Sequence, residues 1–165
     1  MIVKSKEKTF FCIIADHLRT VIFALMDGAT FEPKGRGYVI RKLVKKIVLL
    51  SFFLKFRTDD LILISKKIIE LNSYFYVNLN KKRKHILKIL EEEIINKFSF
   101  VYNIEKKLEN YCKNRKITSS DIFFLYDTLG IPLEFIENYT SEKKINFSKK
   151  EFDKLLSEKK IKENN

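Results

Sequence analysis

The chain has 165 residues, enough for one domain or two small ones, and at 45% apolar and 33% charged its composition is globular, not disordered. Its formal net charge of +12 and pI near 9.6 suit a polyanionic partner, nucleic acid or an anionic membrane face. A lysine-rich solubilising surface accounts for that charge equally well, so net charge decides little.

Cys12 and Cys112 lie far apart with no CxxC, and His17 and His85 are isolated. Neither a disulfide framework nor a metal site is supported, and a reducing cytoplasm is the expected setting. The longest uninterrupted apolar run, "IVLLSFFL" from Ile47 to Leu54, is too short to span a bilayer. The N-terminus lacks an apolar h-region and a small-residue cleavage site. The expectation is a cytoplasmic protein with no signal peptide and no membrane partner.

The pattern is helical nearly throughout. From Phe10 to Met26 the residues Phe11, Ile14, Leu18, Val21, Ile22 and Leu25 recur at three- and four-residue steps, one buried stripe. Asp27-Gly28 ends that helix with a left-handed turn. A loop follows to Arg36. A second helix begins around Gly37, with Ile40, Leu43, Val44, Ile47 and Val48 on its apolar side and Arg41, Lys42, Lys45 and Lys46 on the other. Thr58-Asp59 reads as the N-cap of a helix running to about Asn78. "NKKRKHILKILEEEIINKF" (80–98) and the residues after it read as long, mixed-charge helices of a hairpin, with Glu91-Glu92-Glu93 in solvent. Ser119-Ser120-Asp121 caps a short apolar helix that Gly130 closes, and Pro132 suits the first turn of the next. Ser148 with Glu151 forms a capping box for a last helix from Lys149. The expected fold is all-α: a compact helical bundle over 1–160, in two closely packed halves at about 1–57 and 58–160, with 161–165 a frayed tail.

No catalytic constellation emerges: there is no P-loop, GxGxxG, GxSxG or HExxH. Asp16 and His17 are adjacent on a helix, point about 100° apart, and do not converge on one substrate atom. What remains is "FEPKGRGYVIRKLVKK" at 31–46. It holds two of the four Gly, and from Lys34 to Arg57 there are eight basic residues and no acidic one. Gly35 and Gly37 flank Arg36 and remove two Cβ atoms, which lets backbone approach a bulky ligand. The following helix start offers N–H groups and a positive dipole end to an anion. Lys34, Arg36, Arg41, Lys42, Lys45 and Lys46 extend that potential, and Tyr38 adds a ring and a hydroxyl. Such a surface grips a phosphate backbone. A helix-turn-helix DNA binder that uses Arg41 to Lys46 in a major groove is the alternative reading.

Two blocks carry a resemblance. "IIADHLRTVIFALMDGATFEPKGRGYVIRKLVKK" (13–46) and "FFLYDTLGIPLEF" (123–135), in this order, resemble the tRNA-recognition region of the alanyl-tRNA synthetase family. "NFSKKEFDKLLSEKK" (146–160) is similar to the family's succeeding helix. The resemblance implies a module that reads the acceptor stem of alanine tRNA at a G·U wobble pair. It implies the aspartate of the LYDT block, Asp127, as acceptor for guanine's amino group. The family's other reader, an asparagine just before GRGY, is replaced here by Pro33. The family's ATP- and Mg²⁺-using class II core and its editing domain are not in these residues. The chain is therefore expected to carry no cofactor, to be inactive in aminoacylation alone, and to work with a separate class II catalytic chain if it belongs to a split enzyme.

Overall fold

The computed structural model describes residues 2–112, 117–128, 131–145 and 148–163, with side chains placed for 7–110 and for described residues of 117–158 other than Glu134. Among the described residues there are eight helices and no strand, an all-α fold. The chain divides after Asn103 into two units, each with its own core.

The first helix, α1 (Ile2–Met26), starts earlier than its apolar period does. Phe10, Ile14, Leu18, Val21, Ile22 and Leu25 are buried, but Phe11 is exposed and meets the Phe56 ring at a tilt, with centroids 5.4 Å apart. Gly28 takes a φ of +92°. Its N–H donates to Leu25 O, and the Ala29 N–H donates to Ala24 O, the paired bonds of a Schellman motif. By length and composition Glu7–Met26 of α1 could cross a membrane. In the first unit its apolar stripe is instead occupied, against α2 (Gly35–Phe53) and α3 (Thr58–Asn72). Val44, Ile47 and Val48 of α2 and Leu61 and Ile69 of α3 are fully buried. Each such side chain contributes about 1.5–3 kcal/mol on burial.

Three boundaries differ from the sequence expectation, each for a local reason. The N-cap of α3 is Arg57, not Thr58, because the Asp60 carboxylate reaches back to accept the Arg57 N–H at 2.8 Å. The same helix stops at Asn72 and does not reach Asn78. There the Asn72 amide and Ser73 hydroxyl donate to the carbonyls of Ile68 and Ile69, competing with continued helix. A five-residue helix, α4 (Val77–Lys81), follows, and then α5 (Arg83–Cys112), one continuous helix within which the unit boundary falls. Ile86, Leu90, Ile94, Phe98 and Val101 make the buried stripe of α5 in the first unit.

In the second unit α6 (Ser119–Asp127) packs on α7 (Leu133–Glu142) and α8 (Lys149–Glu163). Thr118, not Ser119, caps α6, exchanging bonds with Asp121. That frees the Ser119 hydroxyl to donate to Glu151 Oε2 at 2.7 Å, which ties α6 to the start of α8. The Ser148 hydroxyl accepts the Glu151 N–H at 3.3 Å, the forward half of the expected capping box. Pro132 is the N-cap of α7. Gly130, expected to close α6, lies outside the described residues.

Candidate nucleic-acid interface

The N-terminus of α2 is set by backbone geometry. Its N-cap, Lys34, supplies no side-chain hydrogen bond, so the first-turn N–H groups are not consumed by a cap. Gly35 and Gly37 have different reasons to lack a side chain. Gly35 has a φ of +64°, and a Cβ there would meet open space. Gly37 is buried, and a Cβ there would meet the Thr30 carbonyl oxygen and the Glu32 amide nitrogen at less than 3 Å. Of the two glycines that the sequence assigned to close ligand approach, Gly37 serves the packing of its own loop. Lys34, Gly35, Arg36 and Gly37 line a cleft of about 440 Å³ together with Asp27 and Gly28.

One turn further on, helical spacing brings Tyr38, Arg41, Lys42 and Lys45 to one face. With Pro33 and Lys97 they line a second cleft, of about 360 Å³. Lys42 Nζ sits 4.6 Å from the centre of the Tyr38 ring, a cation–π contact. Lys45 Nζ sits 4.9 Å from the Phe100 ring. Lys46 is half-buried and does not line this cleft.

The far wall comes from α5, whose polar residues the sequence placed in solvent. Glu91 and Glu92 are exposed, but Glu93 is buried. The Arg41 Nε–H donates to Glu93 Oε1 at 3.3 Å, and Lys97 Nζ reaches the same oxygen at 2.8 Å. The basic stripe is therefore a built wall, with Arg41 anchored from behind. Lys97 is the residue that sequence reasoning missed. A signal existed: Glu93 and Lys97 fall in register with the apolar positions Leu90, Ile94 and Val101, so their helix face is the buried one. Burial, followed by the like charges of Lys97 and Lys42, pushes the Lys45 ammonium below its ordinary value of 10.5, with Tyr38 opposing.

Asp127 is the last residue of α6, in the second unit, and is exposed. His17 Nδ1 lies 3.6 Å from the exposed Asp16 carboxylate, a local contact. Cys12 is free and exposed, whereas the side chain of Cys112 lies outside those described. Among the described residues no group of three or more His, Cys, Asp or Glu could hold a metal ion.

Residues 3–165 match the family described as tRNA synthetases class II (A). The chain is 34% identical over 154 residues to the alanine–tRNA ligase of Acholeplasma laidlawii, covering 93% of this chain and 18% of that protein. The alanine–tRNA ligase of Leptospira interrogans is 32% identical over 165 residues, covering 93% and 16%. That of Bacillus subtilis is 28% identical over 158 residues, covering 92% and 18%. This chain belongs to the alanyl-tRNA synthetase family. It spans less than a fifth of the length of these relatives. Membership extends over both units, from the GRGY turn through the LYDT block.

Proposed function

We propose that this chain is the tRNA-binding part of alanine–tRNA ligation, gripping the acceptor stem of alanine tRNA and reading its G·U pair. The observation that carries the reading is the cleft after the GRGY turn, where Arg41, Lys42, Lys45 and Lys97 converge beside Tyr38. Four cations line one open groove, and neutralising backbone phosphates is the dominant source of affinity for nucleic acids. Pro33 lines this same groove, at the position where the family's reader is asparagine. Asp127 then carries the base reading. A carboxylate only accepts hydrogen bonds, and the wobble pair leaves guanine's amino group as a donor in the shallow minor groove of an RNA duplex.

ATP and Mg²⁺ serve the family's catalytic core, and we assign no cofactor to these residues. The reaction partner is a class II catalytic chain or domain, and the setting is cytoplasmic. The test uses two acceptor-stem hairpins that differ only in G·U or G·C at the wobble position. Asp127→Ala should cost about 1–3 kcal/mol of binding with G·U, the scale of one base contact, and much less with G·C. Equal G·U to G·C ratios for wild type and Asp127→Ala would remove Asp127 as the reader.

A further inference from the structure

The cleft has a wall that the α2 stripe does not supply. We propose that Lys97, on α5, is a phosphate-binding residue, and that a backbone phosphate of the bound RNA is held between α2 and α5 by Lys42, Lys45 and Lys97. The inference rests on the RNA-binding reading and locates one phosphate within it.

Three observations carry it. Lys97 lines the same cleft as Tyr38, Arg41, Lys42 and Lys45, although it lies more than 50 residues further along the chain. Its side chain is 16% exposed, and its ammonium has three donors, of which Glu93 takes one at 2.8 Å; this holds the group in the cleft wall and leaves donors for an anion. Glu93 is the one carboxylate bonded to this wall among the described contacts. Its Oε1 is shared by Arg41 and Lys97, so it orients two cations and leaves the cleft with a positive excess. The lowered Lys45 pKa agrees with this: burial is its first cause, and the like charges of the facing Lys97 and of Lys42 add to it, with Tyr38 opposing. A phosphate placed there relieves the repulsion, so binding should draw the Lys45 pKa back up.

The experiment compares Lys97→Met, Lys97→Arg and Lys45→Ala in binding to one acceptor-stem hairpin over a salt series. A lysine-selective NMR titration of Lys45 accompanies it, with and without the hairpin. Lys97→Met should weaken binding several-fold and reduce the salt slope by about one, and Lys97→Arg should keep the slope. Lys45 should titrate higher in the hairpin complex than in the free chain. Wild-type affinity and slope in Lys97→Met, together with a clear loss in Lys45→Ala, would overturn the inference and leave the RNA-binding reading standing. Unchanged binding in both variants would overturn that reading as well. A loss in Lys97→Met that Lys97→Arg does not restore would mark Lys97 as a packing residue, against the proposal.

Discussion

At the scale of single residues, the two glycines around Arg36 can be told apart by experiment. Gly37→Ala drives a methyl group into the backbone at Thr30 and Glu32, and backbone cannot step aside as a side-chain tip can. We expect a loss of about 1–3 kcal/mol, the usual scale of overpacking. Gly35→Ala places its methyl in open space and bears only the left-handed backbone cost of about 1 kcal/mol. Urea denaturation checks the order, and Gly37→Ala as stable as wild type would refute the packing role. The sequence displayed these glycines but not their difference. Which Cβ position is occupied depends on how residues 30–32 fold back, and no local pattern encodes that. Lys55 makes the same point in reverse: it sits at φ +59° in a Schellman-type end of α2, where glycine is the usual choice.

Elements were legible where their stripes are long. The stripes of α1 and α2 follow directly from apolar spacing, and Gly28 marked the end of α1. Ends set by side-chain competition were not legible, as with Asn72 and Ser73 at the end of α3. In the second unit, α5 and α7 place a charge conflict that the sequence also hides. Burial, and then the carboxylates of Glu109 and Glu142, push the Glu105 carboxyl above its ordinary value of 4.5, with Lys143 opposing. Folding thus favours protonated Glu105. The stabilising contribution is fully present below 4.5 and is lost as pH rises through the higher folded value. Ionised Glu105 therefore burdens this unit at neutral pH. Glu105→Gln should raise the melting temperature at pH 7 and give no gain at pH 3. An equal gain at both pH values would place the effect in packing, not charge.

For the molecule as a whole, charge matters through placement. The net charge of +12 is spread along the chain, and only the fold shows which cations it brings together. It half-buries Lys46, anchors Arg41 on Glu93, and brings Lys97 across to face Lys42 and Lys45. The α2 half of the cleft was readable from the basic stripe. The α5 half was legible only in part: spacing puts Glu93 and Lys97 in register with the apolar Leu90, Ile94 and Val101, but it does not say that this part of α5 meets α2. The central claim is that this cleft holds an RNA backbone, and salt dependence tests it most directly. The measurement is the affinity of the chain for an alanine acceptor-stem hairpin across a salt series, in wild type and in the Lys42→Ala/Lys45→Ala double variant. The account predicts that log affinity falls linearly with log salt, and that the double variant reduces the slope by about two for every RNA alike. A slope near zero, or the same slope in wild type and double variant, would contradict it.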